Sequence, residues 1–163
     1  MYEVYDFCEH GDLSKIITEH LSDLNVVQGL FIFKNLVSAI QLLHQARIIH
    51  RDIKPENILL KTIKKSVLES DLSLKDSPEL ALQVRYSAVL ADFGLCRILE
   101  DNEEEIAGSY GSPMYMSPEC LSGQNYGLKN DLYSLGIVLY ELMYSQVPYS
   151  CSSAEELITL IYN

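Results

Sequence analysis

Basic residues are scarce in this sequence. Lysine and arginine number 12 against 23 aspartates and glutamates, which leaves a formal net charge of −11. That balance excludes the basic footprint of a nucleic-acid-binding surface and the polybasic patch that holds a protein to an anionic membrane. Glycine and proline are also sparse, at 8 and 5, which excludes a collagenous repeat and a low-complexity tract. No uninterrupted apolar run reaches the ~18 residues of a membrane span, so no transmembrane segment is expected. The first residues, Met1 to Asp6, lack the basic start and apolar stretch of a secretory signal. The four cysteines, Cys8, Cys96, Cys120 and Cys151, include no C-x-x-C pair, so neither a disulfide framework nor a zinc site is indicated. A reducing, cytoplasmic setting is the expectation.

What is present suffices for one globular domain: 163 residues, 48% of them hydrophobic, enough to build a core. Met1 to Cys8 alternates weakly and reads as an extended strand. Gly11-Asp12 offers a break and an N-cap for a short helix through about Glu19. Asn25 followed by Gln28 suggests a capping box. The helix after it carries an apolar stripe of Val26, Leu30, Phe33, Val37 and Ile40, spaced as a buried face should be. Ile48-Ile49 and Ile58-Leu59-Leu60 suit short strands on either side of a polar loop. From Lys61 to Ser87 the pattern dissolves into a polar stretch that reads as an insertion, flexible or with a frayed helical turn. Val89-Leu90-Ala91 resumes as a strand. Residues 92 to 119 form a long loop punctuated by Gly108, Gly111, Pro113 and Pro118. Asp131 to Tyr144 is so apolar that its helix should be buried on most sides, and a last helix starts near Ser152 or Ser153. The expected fold is mainly α with a few short β-strands. The acidic run Glu100 to Glu105 reads first as a solvated loop.

Four stretches carry chemistry. His50-Arg51-Asp52-Ile53-Lys54-Pro55-Glu56-Asn57 resembles the H-R-D-x-K-P-x-N catalytic loop of serine/threonine protein kinases, and Asp92-Phe93-Gly94 matches their D-F-G. Gly111-Ser112-Pro113-Met114-Tyr115-Met116-Ser117-Pro118-Glu119 is similar to the end of a kinase activation segment, with Ser117 in place of Ala. Asp131-Leu132-Tyr133-Ser134-Leu135-Gly136 resembles D-x-W-S-x-G, with Tyr133 in place of Trp. All four stand in the order the family uses.

The resemblance implies a protein-kinase-like C-terminal lobe, truncated at both ends, with ATP and Mg²⁺ as cofactors and the serine or threonine of a protein as acceptor. By that likeness Asp52 accepts the hydroxyl proton, and Lys54 steadies the transferring phosphoryl group. Asn57 and Asp92 hold magnesium through the hard oxygen ligands it requires. Leu59 lies beneath adenine, Asp6 and Cys8 offer backbone groups to its edge, Asp12 reaches the ribose, and Tyr5 stands as gatekeeper. Arg51 marks the class whose catalytic loop binds a phosphate on the activation segment. Ser109 and Tyr110 are nearby candidates for that phosphate, Ser112 belongs to the same segment, and Glu103 to Glu105 offer a partial substitute. Glu119 and Asp131 have structural roles in the family, Asp131 by binding backbone N–H groups of the catalytic loop.

The passages Val4 to Leu13 and Gly111 to Met116 resemble the autophagy-initiating (ULK-type) serine/threonine kinases, which also tolerate extra residues between catalytic loop and D-F-G. The expected organisation is a partial kinase domain over residues 1–163, with an insertion at 61–87 and an activation segment at 92–119. The Gly-rich loop and strand lysine of a kinase small lobe do not occur in the sequence, which makes that lobe an implied partner. The competing function is a non-catalytic pseudokinase or scaffold acting through protein contacts.

Overall fold

The computed structural model describes residues 6–19, 24–64, 71, 77–81 and 83–162. Met1 to Tyr5, and with them the gatekeeper position, lie outside the described residues, as does much of the 61–87 stretch. The helices are α1 (Leu13–Glu19), α2 (Val26–Gln45), α3 (Pro78–Ala81), α4 (Pro118–Leu121), α5 (Lys129–Tyr144) and α6 (Ala154–Tyr162). The strands are β1 (Ile48–Ile49), β2 (Ile58–Thr62), β3 (Tyr86–Leu90) and β4 (Arg97–Ile98). Two antiparallel pairs form, β1 with β4 and β2 with β3.

α2 begins where Asn25, in extended conformation, accepts the Gln28 N–H on Oδ1 at 2.8 Å. The expected capping box is only half made. Gln28 does not reach back to Asn25 but is fully buried against the start of β3. Its Nε2 donates to the Tyr86 C=O at 2.9 Å, and its Oε1 accepts the N–H groups of Arg85 at 2.6 Å and Tyr86 at 2.9 Å. Water can satisfy a helix terminus, but a buried strand edge needs a protein partner.

The same demand rotates the helix. Of the expected stripe, Val26, Leu30 and Val37 are 64%, 51% and 42% exposed. Phe33 is half-buried and Ile40 is buried; the face turned inward carries Gln28, Phe31, Ile32, Leu36 and Ile40. α2 is apolar nearly all round, so periodicity alone cannot choose its inner face. The choice falls on the side that bears Gln28 and Asn35, whose Oδ1 accepts the Ala88 N–H at 3.0 Å. α2 is also long and apolar enough to cross a membrane by length and composition, although polar residues interrupt its apolar run. Here it is a core helix packed against β3 and α5.

β2 and β3 reach further into the polar stretch than apolarity suggested. Lys61 pairs with Ser87 and Thr62 with Tyr86, because a strand's solvent face accepts polar side chains without losing its ladder. The connection between the strands therefore runs from Ile63 to Arg85, with α3 in its described part. α5 is more one-sided than its composition suggested. Asp131, Ser134, Leu135, Ile137, Val138 and Leu142 are buried, whereas Leu132 and Tyr144 are exposed.

Two apolar clusters flank the loop at residues 50–57. The larger joins α1, α2, β2, β3 and α5 and includes Ile53 and Ile58; the smaller contains Ile49, Leu99, Ile106, Met116, Cys120 and Tyr126. Residues 50–57 are thereby pinned at Ile49 in one cluster and at Ile53 and Ile58 in the other.

The placement of α2 makes a specific demand. Gln28→Ala leaves the buried N–H and C=O of Tyr86 without their side-chain partner, and should destabilise the fold by about 2–4 kcal/mol. Leu30→Ala, on the open side, should cost no more than about 0.5 kcal/mol. Urea unfolding midpoints of the two variants check both values.

Candidate active site

The loop between β1 and β2 is held by one buried carboxylate. Asp131, in the first turn of α5, accepts the His50 N–H on Oδ2 at 2.9 Å and the Arg51 N–H on Oδ1 at 3.0 Å. His44 Nε2 of α2 donates to the same Oδ2 at 2.9 Å. His50 is fully buried. Its Nε2–H donates to the Ala91 C=O at 3.1 Å, and its Nδ1 faces the Asp52 N–H at 3.4 Å. That pattern uses one ring nitrogen as donor and the other as acceptor, which is the neutral imidazole. Burial holds the His50 pKa below its ordinary value, against the opposing pull of Asp131 and the Ala91 carbonyl.

Asp52 stands at the centre of a compact polar network. Its Oδ2 lies 2.9 Å from both Lys54 Nζ and Asn57 Nδ2, and its Oδ1 accepts the Ser112 hydroxyl at 2.9 Å. Asn57 Nδ2 also donates to the Asp52 C=O at 2.8 Å, and Lys54 Nζ to Ser112 Oγ at 2.8 Å. Burial alone would raise the Asp52 pKa. The hydrogen bonds from Lys54 and Ser112, with the Lys54 charge, outweigh it and hold the carboxyl below its ordinary value. The network ties three residues of the loop to one that is 60 positions from Asp52.

The hairpin β2–β3 floors a cleft of about 850 Å³ whose lining includes Asp6, Cys8, Leu59, Val89 and Asp92. Leu59 and Val89 are register partners across the hairpin. Cys8 C=O accepts the Gly11 N–H at 3.2 Å, and the Asp6 carboxylate pairs with Lys61 at 2.8 Å, which lowers the Asp6 pKa. Asp12 is not among the lining residues. Its carboxylate accepts the Ser14 hydroxyl and the Lys15 N–H, capping α1. Lys61, Val89 and Ala91 line the cleft without having been singled out in the sequence; the register of an antiparallel hairpin opposite Leu59 was the signal that could have found Val89.

Asp92 adopts a left-handed backbone, φ +58°, and its Oδ1 accepts the Gly94 N–H at 3.2 Å. The residue before it is fastened to the loop: the Ala91 N–H donates to the Asn57 C=O at 2.9 Å. Phe93 lies edge-on to the His50 ring, 5.2 Å between centroids. Ser109 Oγ contacts Met116 Sδ at 3.6 Å. The acidic run is turned away from Arg51. Arg47 Nη2 donates to the carbonyls of Glu100 and Glu103, at 2.7 and 2.6 Å, and the Glu103 carboxylate lies 3.5 Å from Arg97. Glu104 and Glu105 are exposed, and none of the three meets Arg51, so the structure does not bring a substitute for a phosphate to it. The Glu119 carboxylate has no bonded partner among the described residues and shares a crevice with Arg47 and Lys129.

A kinase-like lobe with this loop, this cleft and this long segment has a clear kinship. The family model described as "Protein kinase domain" matches residues 1–162, and the chain belongs to that family. The chain is 34% identical over its full length to the serine/threonine-protein kinase atg1 of Dictyostelium discoideum, of which it spans 21%. It is also 34% identical, over 96% of its length, to the human serine/threonine-protein kinase ULK3, spanning 29% of it. Serine/threonine-protein kinase 33 of Bos taurus is 32% identical over 99% of the chain, which spans 30% of that protein. The chain thus corresponds to less than a third of each of these relatives.

The state of His50 sets a pH dependence. Its folded pKa lies below the ordinary 6.5, so the unfolded chain binds the proton more readily. The contribution of His50 to stability is therefore present above about pH 6.5 and is lost as the pH drops below it. The urea midpoint should decrease between pH 7.5 and 5.5, and His50→Gln should shrink that decrease.

Proposed function

We propose that this chain takes part in ATP-dependent phosphoryl transfer to serine or threonine hydroxyls of protein substrates. One observation supports the reading above the others: Asp52, Lys54, Asn57 and Ser112 share a single hydrogen-bonded network, joined through the Ala91 N–H to Asn57 C=O bond to the cleft that Asp92 lines. Phosphoryl transfer asks a protein chiefly for positioning and charge stabilisation, and such a network fixes both. In this reading Asp52, kept ionised by Lys54 and Ser112, accepts the proton of the incoming hydroxyl. Lys54 reaches over Asp52 to the transferring group.

The donor set fits magnesium. Asn57 commits its amide nitrogen to Asp52, which leaves its side-chain oxygen as the free acceptor. Asp92 is exposed at the cleft and uses only Oδ1 internally. Among the described residues no group of three or more His, Cys, Asp or Glu forms a metal cage. Two hard oxygen donors with the remaining positions open are the arrangement Mg²⁺ accepts when phosphates complete its shell. Asn57 and Asp92 would hold it there, and the ion would supply positive charge to offset that of the phosphates. Adenine would rest on Leu59, against the backbone of Asp6 to Cys8. Asp12 caps α1 through Oδ1, and its Oδ2 would remain to accept a ribose hydroxyl. Residues 92–119 would act as the activation segment, with 63–85 as an insertion. Four unpaired thiols support a cytoplasmic setting, and the likeness to atg1 and ULK3 supports a place in autophagy-related signalling.

The test uses the chain joined to a family small lobe. Asp52→Asn should lower the transfer rate about 10²–10⁴-fold with ATP affinity nearly unchanged, since Asp52 faces the acceptor. Asp92→Ala should instead abolish the Mg²⁺ dependence of ATP binding. Rapid-quench transfer assays and calorimetric titrations with and without Mg²⁺ separate the two effects. Absent transfer in the unsubstituted protein, with ATP binding intact, would favour the scaffold alternative.

A further inference from the structure

Arg51 sits at the junction of the loop and the long segment, yet it makes no ion pair among the described residues. Its guanidinium has neutral partners instead. Nε donates to the Leu95 C=O, and the Tyr110 ring lies over Cζ with its centroid 4.6 Å away. That separation is within cation–π range, and a planar guanidinium stacks well on an aromatic face.

Two glycines make room for the stack. Gly108 has φ +116°, and a Cβ there would stand 2.5 Å from Tyr110 Cε2. Gly111 has φ +114°, and a Cβ there would stand 2.2 Å from the Arg51 carbonyl oxygen. Neither position accepts a larger residue without moving the ring or the loop. The consequence runs along the chain. With Tyr110 on the guanidinium and Gly111 against the Arg51 carbonyl, the next residue, Ser112, arrives at Asp52 Oδ1 and Lys54 Nζ at 2.9 and 2.8 Å.

We infer that Tyr110 is a positioning residue whose ring docks residues 108–112 on Arg51 in place of an anionic group. The segment then delivers Ser112 to Asp52 with no phosphate on it. The inference goes beyond the phosphoryl-transfer reading, and its test uses no activity, so either can fail without the other.

The experiment compares the 163-residue chain with its Tyr110→Phe and Tyr110→Leu variants. It reads the Arg51 Nε–H resonance and the amide exchange of Tyr115, whose N–H donates to the Ser112 C=O at 2.9 Å, with the amides of Leu36 and Val138 as an internal reference. The ring current should displace the Arg51 resonance in the parent and in Tyr110→Phe, and the displacement should vanish in Tyr110→Leu. Exchange at Tyr115 should rise about two- to fivefold in Tyr110→Leu and stay near the parent value in Tyr110→Phe. The inference is overturned if the leucine variant exchanges like the parent, if the phenylalanine variant loosens equally, or if the Arg51 resonance is the same in all three. Should Tyr110→Leu fail to fold, as loss of protection at Leu36 and Val138 would show, the parent and Tyr110→Phe resonances still decide. An undisplaced Arg51 signal in both overturns the inference, and a displaced one in both supports it.

Discussion

The carboxylate of Asp131, without exposed surface, gathers three N–H donors: the backbone of His50, the backbone of Arg51 and the His44 ring. It thereby joins α2, α5 and the loop at one point. It also sits where the unpaired N–H groups of a helix's first turn favour an acidic side chain. The loop needs such an anchor because Arg51 has φ +73°, a left-handed conformation that costs a residue with a Cβ about 1–3 kcal/mol. Two hydrogen bonds to a carboxylate, from the N–H groups of His50 and of Arg51 itself, are of the size required to offset it.

Everything nearer the chemistry hangs from that anchor. Once the His50 backbone is fixed, its ring reaches Ala91 and holds the entry to Asp92. With the Arg51 backbone fixed, its side chain reaches Leu95 and Tyr110, and its carbonyl receives Gly111. Asp52 follows, facing Lys54, Asn57 and Ser112. The loop, the residues around Asp92 and the segment ending at Ser112 are distant in sequence yet joined through one continuous polar chain. Such networks strengthen when complete and are costly when one member is lost, so the site is expected to form or fail as a unit.

Much of the fold could be read in the sequence wherever one signal acted alone. α1 follows its Asp12 cap, β1 and the first part of β2 follow their apolar runs, and α6 follows Ser153, whose hydroxyl accepts the Glu156 N–H. Sequence reasoning failed where tertiary partners chose between equal options. α2 is apolar on too many sides for its stripe to decide its face, and the deciding residues were polar ones, Gln28 and Asn35, because β3 needed their side chains. Lys61 and Ser87 looked like loop by composition but pair in a ladder, which depends on backbone. At the site, the contiguous string from His50 to Asn57 placed its members together, since neighbours in a short turn have few places to go. Asp12 offered both a helix cap and a cleft residue, and its Oδ1 is found capping α1. The stack of Tyr110 on Arg51 had no sequence signal beyond the two flanking glycines, which show only that the backbone there is unusual.

The central claim is that Asp131 holds the loop in its working geometry. It is tested most directly by amide hydrogen exchange at His50 and Arg51 in Asp131→Ala. The account predicts a loss of protection of about five- to hundredfold at those two amides, as removal of about 1–3 kcal/mol per buried hydrogen bond implies, with Leu36 and Val138 still protected. Unchanged protection at His50 and Arg51 would show that the loop is held by something else and would contradict the account.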